Sequence, residues 1–140
     1  MKYSNATNYA LHTMVHLLRL PQNNTIGVQE LAEFQKLSPT YLSKILTKLT
    51  KAGLIESTPG AKGGYKISKS SNEISFLDVI TAIEGDTNLF NCSIHRHEGC
   101  LIEGVMRQSE ENMKEELRKR LLIDIVKKME EKSKNTENIH

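Results

Sequence analysis

A mainly α-helical fold with one small β-hairpin and a long C-terminal helix is what the sequence predicts, and three observations predict it. Between Pro39 and Lys51, Leu42, Ile45, Leu46 and Leu49 recur at i, i+3, i+4 and i+7, the spacing of one buried helical stripe. Directly after it, Leu54–Thr58 and Tyr65–Ser68 read as two short strands joined by the Gly-rich tip Pro59-Gly60-Ala61-Lys62-Gly63-Gly64. From about Leu101, apolar residues spaced largely by four run through a stretch crowded with charge. A polar-faced helix followed at once by a basic hairpin is the pattern of a winged helix-turn-helix, and the last helix adds a surface for dimerisation.

The elements follow in order. Asn5 to Leu20 reads as a helix with Tyr9, Ala10, Met14, Leu17 and Leu18 on its apolar stripe, and Pro21-Gln22-Asn23-Asn24 breaks it. Val28 to Gln35 is a short second helix with Val28, Leu31 and Ala32 inward. The turn Lys36-Leu37-Ser38 is short enough to set the next helix at a steep angle. Ser38 can cap that helix, and Pro39 at its first position needs no donor. Ala52-Gly53 ends it.

Beyond a loop at Ser70-Ser71-Asn72-Glu73, Ser75 and Asp78 stand at the spacing of a capping box. Phe76, Leu77, Val79, Ile80 and Ile83 make the helix behind it strongly apolar, and Gly85 stops it. Thr87 to Gly99 is a loop. In the long helix Leu101, Val105, Met113, Leu117 and Leu121 form a narrow row that Ser109 interrupts, typical of a helix lying along a partner helix. A second copy of the chain is the simplest partner. Leu121 to Val126 reads as a turn into a final segment that could clasp the dimer, and Ser133 to His140 is expected to fray. The organisation expected is a DNA-binding unit over 1–70, a linking helix and cysteine loop over 71–100, and a dimerisation helix and tail over 101–140.

The chain has 140 residues, room for one domain or a domain plus an extension. No apolar run approaches the roughly 20 residues that span a bilayer. The start lacks the unbroken apolar core of a signal peptide, and the two cysteines do not make a secreted disulfide framework. The expectation is a cytoplasmic protein with no membrane partner. Net charge is only +2, yet residues 1–70 carry nine Lys/Arg against three Asp/Glu while residues 71–140 carry ten against fourteen. The first half, at +6, is the half suited to a polyanion.

On the helix opened by Ser38, the solvent side carries hydroxyls and ammonium groups and no carboxylate. Ser38, Thr40, Tyr41 and Ser43 lie at or near the N-terminus, where a recognition helix enters the major groove, and are assigned to base edges. Lys44, Lys48 and Lys62 are assigned to phosphates, with Gly63 and Tyr65 completing the wing. The bland alternative is that Lys44, Lys48 and Lys51 form an ordinary solvated face. Gly60-Ala61-Lys62-Gly63-Gly64 lacks the Gly-Lys-Ser/Thr ending of a nucleotide loop, and no catalytic triad or paired-carboxylate pattern stands out. An enzyme is not expected.

Several stretches together closely resemble the Rrf-two family of bacterial winged-helix transcription regulators: Met1-Lys2-Tyr3-Ser4, Thr7-x-Tyr9-Ala10-Leu11, Tyr41-Leu42-x-Lys44-Ile45-Leu46, Ala52-Gly53-Leu54, Gly63-Gly64-Tyr65, and Ile74-Ser75-x-x-Asp78-Val79 with Ile83-Glu84-Gly85. The similarity runs from Met1 to about Gly85. It implies a homodimer that crosses over through the long C-terminal helices and binds a partly palindromic operator on double-stranded DNA, most simply as a repressor. The family wing usually has Arg where this chain has Pro59, which leaves Lys62 as the charged residue at the tip. Arg often follows the Tyr-Ala-Leu of the first helix, where this chain has His12.

The remaining informative stretch is Cys92-Ser-Ile-His95-Arg-His97-Glu-Gly-Cys100. Family members that carry an iron–sulfur cluster have three cysteines here, some with seven residues between the first two, as between Cys92 and Cys100. The matching third position is Met106, and an Asp that completes the site in nitric-oxide sensors corresponds to Asn8. Three sensing readings stay open: a Cys92–Cys100 thiol switch, a zinc ion on Cys92, His95, His97 and Cys100, or a cluster using both cysteines and a histidine. The fourth reading is two ordinary loop cysteines. The functional expectation is a homodimeric DNA-binding regulator with a redox- or metal-responsive cysteine loop. The alternative is a winged-helix protein-interaction module without DNA binding.

Overall fold

The computed structural model describes residues 3–68, 72–86, 89–90 and 99–138. Six helices and one hairpin appear there in the order α1 (Asn5–Leu18), α2 (Val28–Gln35), α3 (Pro39–Lys51), β1 (Ile55–Thr58), β2 (Gly64–Ile67), α4 (Phe76–Glu84), α5 (Leu101–Lys119) and α6 (Leu122–Asn138). The expected mainly α architecture with a two-stranded wing is therefore present.

Local chemistry accounts for the helix ends. Ser4 and Ser38 each accept a bond from the backbone N–H three residues on, and Pro39 occupies the first turn of α3. Ser75 and Asp78 form the reciprocal capping box, at 2.9 and 3.0 Å. In the turn between α2 and α3, Lys36 adopts a left-handed conformation (φ 56°), and Leu37 N–H closes back on Ala32 O at 2.9 Å. That closure ends α2 abruptly enough for α3 to start two residues later.

One core holds these elements together. Leu42, Ile45, Leu46 and Leu49 of α3 pack with Ala10, Met14 and Leu17 of α1, Leu31 and Ala32 of α2, and Leu54 and Ile55 at the hairpin. Ile74, Val79, Ile83 and Leu122 belong to the same cluster. Deleting a side chain of this kind typically costs about 2–5 kcal/mol.

The last two helices differ from expectation. α5 ends at Lys119, Arg120 is extended, and Leu121 forms a β-bridge with Ser75. Phe76 N–H bonds to Arg120 O at 2.9 Å and Leu122 N–H to Ile74 O at 3.0 Å, so the break between α5 and α6 is fastened to the start of α4. Leu122 and Val126 are buried within their own chain, so these two side chains of the final segment serve the intrachain core. The helix also runs on to Asn138 where fraying was expected from Ser133. The apolar row of α5 divides: Met113 and Leu117 are half-buried in the same chain, whereas Leu101, Ile102 and Val105 are 86%, 68% and 67% exposed.

Glu84 joins two elements. Its Oε1 accepts from Ser4 N (2.8 Å), Ser4 Oγ (2.8 Å) and Thr7 Oγ1 (2.6 Å), tying the C-terminus of α4 to the N-terminus of α1. The Thr7 hydroxyl, then the Ser4 amide and hydroxyl, hold its carboxyl below the ordinary value of 4.5, with a smaller contribution from Lys48. A lowered carboxylate stabilises the fold above the unfolded pKa, and this contribution is lost as pH falls through the folded pKa. Glu84→Gln should therefore lower the melting temperature near pH 7, and the gap from the parent should shrink below about pH 4.5, the ordinary value. Parallel melting curves from pH 7 to 3 check this.

Candidate nucleic-acid interface

The surface begins with α3. Its buried stripe turns Thr40, Lys44, Thr47 and Lys51 to solvent, with Ser43 half-buried at the edge and no acidic side chain along the helix. The Thr47 and Thr50 hydroxyls donate to the carbonyls of Ser43 and Leu46, each at 2.8 Å, which leaves their oxygens only accepting capacity. Ser38 is exposed, and its Oγ accepts from Tyr41 N–H at 3.1 Å, so the same oxygen closes the helix start and stands on its outer surface.

The wing is built for a tight tip. Ile55 pairs with Ile67, Glu56 with Lys66, Ser57 with Tyr65 and Thr58 with Gly64. A Cβ at Gly63 would lie 1.9 Å from Thr58 O, so no other residue fits there without moving the chain. Gly64 is equally constrained, because a Cβ would come within 2.6 Å of Ile26 O.

Ile26 bridges Tyr65 through both backbone bonds, at 2.8 and 3.1 Å, adding a one-residue third strand to the hairpin. Thr25 Oγ1 bonds to Lys62 O at 3.2 Å and braces the tip, while the Lys62 side chain is exposed. In the sequence, 21–24 reads only as a loop, and nothing there announces this support. A single bridging residue carries no alternation that could reveal it.

The predicted site residues separate into groups. Ser38, Thr40, Ser43 and Lys44 share the open face of α3, with Lys62 at the wing tip. Gly63 and Tyr65 shape the wing: the first closes its turn, and the second packs half-buried against the core. Tyr41 is partly exposed and makes an edge-on contact with Tyr9 of α1, centroids 6.0 Å apart. The Lys48 ammonium stands 3.5 Å from Ile83 O at the end of α4. Tyr41 and Lys48 are seven residues apart, within roughly 20° of each other around the helix. Both lie on the flank that meets α1 and α4.

Of the sensor residues, Cys92, His95 and His97 lie outside the described residues. Cys100 caps α5, its Sγ accepting from Glu103 N–H at 3.4 Å. Met106 and Asn8 are both exposed, on α5 and α1. Among the described residues, no group of three or more His, Cys, Asp or Glu side chains could hold a metal ion. Among them also, no helix is long and apolar enough to cross a membrane.

The comparisons with known proteins agree with this arrangement. The family described as "Rrf2: Iron-dependent Transcriptional regulator" matches residues 3–128. A relative described as a putative HTH-type transcriptional regulator, YffB of Lactococcus lactis, is 42% identical over 90 residues, which cover 64% of this chain and 58% of that protein. The chain thus spans less than two thirds of that relative. Among solved structures, T. potens IscR superposes with a TM-score of 0.77 at 27% identity, covering 94% of this chain and 90% of that one. The oxidized form of Staphylococcus aureus CymR superposes with a TM-score of 0.70 at 30% identity, covering 87% and 93%. These relatives are regulators of transcription rather than enzymes, and the chain belongs to the Rrf2 (Rrf-two) family of transcriptional regulators.

Proposed function

We propose that two copies of this chain form a homodimer that binds a partly palindromic operator and represses transcription, with a thiol switch at Cys92 and Cys100 as its input. The observation that carries this reading is the acid-free face of α3 beside a braced basic wing, both within the basic half of the chain. The division of labour is 1–70 for DNA, 71–100 for linking and sensing, and 101–140 for dimerisation. Work on a bacterial chromosome places the protein in the cytoplasm.

In this assignment, Ser38, Thr40 and Ser43 meet base edges, while Lys44 and Lys62 meet phosphates, which fix position and affinity. Lys44→Ala and Lys62→Ala should each weaken binding to every duplex and lower the salt slope by about one. Gel shifts at stepped salt measure this, and unchanged slopes in both would remove the assignment. Complete absence of salt-dependent binding by the parent protein would favour a protein-interaction module.

Dimerisation rests on the exposed Leu101, Ile102 and Val105 of α5, a solvent-facing apolar cluster without a partner among the described residues. Val105→Glu should shift the protein to monomer at micromolar concentration and sharply weaken binding to two-half-site duplexes. Sedimentation paired with gel shifts reads both effects.

The donor set does not fit a three-cysteine cluster. Position 106 supplies a thioether and position 8 an amide, and soft iron sites use thiolates. A thiol switch needs only the two cysteines: the thiols lose two electrons and two protons to a peroxide, forming one disulfide and two waters. Staphylococcus aureus CymR, a structural relative, has been solved in an oxidized form. Anaerobically purified protein should be colourless and metal-free, lose two free thiols with peroxide, and change its operator affinity. Visible absorbance or stoichiometric zinc would replace the switch with a cluster or a metal site, and peroxide-insensitive thiols would leave two ordinary cysteines.

A further inference from the structure

Lys48 belongs to α3, a helix with three lysines and no acid, yet its surroundings are those of a strut. The ammonium is 3.5 Å from Ile83 O, one of the last carbonyls of α4, where the helix presents its negative end. Glu84, the next residue, adds a full negative charge and is anchored to Ser4 and Thr7 of α1. Lys48 and Lys44, one turn before it, are both exposed, and what separates them is that Lys44 has no such neighbour in the described contacts. Tyr41, on the same flank as Lys48, leans on Tyr9 of α1. This flank of α3 is therefore turned to the protein at both ends. α4 is in turn attached to the junction of α5 and α6 through Phe76 N–H to Arg120 O and Leu122 N–H to Ile74 O.

We infer that Lys48 is a positioning residue, clamping the recognition helix to the C-terminal end of α4 and so fixing its orientation relative to α5, and that it does not neutralise a phosphate. The inference rests on the proposed DNA-binding dimer for its consequence and on the α3–α4 contact for its geometry. With α5 carrying the partner and α3 carrying the groove, the angle between them sets the separation of two recognition helices. Loosening Lys48 alters which half-site spacing is preferred, whereas loss of a phosphate contact weakens all duplexes alike.

The test compares Lys48→Met, which keeps the apolar stem, with Lys48→Arg and Lys44→Ala. The probe is a duplex selected from a random pool by the parent dimer, together with versions whose half-sites are one base pair closer or farther. Expected for Lys48→Met are an unchanged salt slope, a flattened preference among the three spacings, and recovery of that preference in Lys48→Arg. Melting without DNA should show that Lys48→Met and Glu84→Gln destabilise by less in combination than the sum of their separate effects.

A salt slope lowered by about one with spacing preference intact would make Lys48 a phosphate contact and overturn the inference. An unchanged spacing preference with only a lower melting temperature would reduce it to a structural contact, and additive melting effects would remove the link to Glu84. Failure of the parent protein to bind any duplex would instead refute the proposed function, with the melting cycle still reading the electrostatic coupling of Lys48 to Glu84.

Discussion

The constraint on which the structure depends is that α3 buries one face completely while keeping the opposite face open. Leu42, Ile45, Leu46 and Leu49 give it a stripe that the core of α1, α2 and α4 must cover. Each such side chain contributes about 1.5–3 kcal/mol on leaving water, so rotating the helix by a third of a turn would expose several of them at once. The outer face is thus aimed by the inner one. A helix held this firmly can present Thr40, Lys44, Thr47 and Lys51 in a fixed array. Side-chain polarity alone would not do so.

The wing follows the same logic on a smaller scale. A two-stranded hairpin is marginal by itself in water. Here Leu54 and Ile55 enter the core, Ile26 adds two backbone bonds to Tyr65, and Thr25 holds the carbonyl of Lys62. Two glycines are required because the backbone at Gly63 folds against Thr58 and the backbone at Gly64 lies on Ile26. The tip is consequently braced by the loop that precedes α2, and Lys62 is the cation it carries.

Most of the fold was legible because period, caps and breakers agreed. Val28–Gln35 has the bounds read from its pattern, α3 starts at the Ser38-Pro39 signal, and Ser75 with Asp78 makes the anticipated box. What escaped detection needs knowledge of neighbours. The helical wheel places Lys48 on a flank but does not say that the end of α4 lies across from it. Thr7 and Thr13, buried at 2% and 0% exposure, broke no apolar pattern, yet Thr7 binds Glu84 and Thr13 accepts from Gln35 of α2. The row along α5 was read as one seam because periodicity is blind to which face belongs to the same chain. The candidate DNA face was legible through its lack of acids, and the contacts of Tyr41 with Tyr9 and of Lys48 with the end of α4 were not.

That division of α5 gives the helix its mechanical meaning. Its C-terminal half is fastened to the body: Met113 accepts from the Tyr3 hydroxyl at 3.8 Å, Lys114 pairs with Asp86 at 3.7 Å, and the Arg120–Leu121 break is bonded to the start of α4. Its N-terminal half begins at Cys100 and projects an apolar cluster that has no partner among the described residues. A packed helix behaves as a rigid element, so a displacement at the Cys100 end must be taken up where α5 meets α4. From there the next rigid element is α4, whose far end carries Ile83 and Glu84 against Lys48 and the start of α1. In the proposed dimer, sensing and pairing therefore sit on α5 and groove reading on α3, and α4, packed against both, is where one is converted into the other.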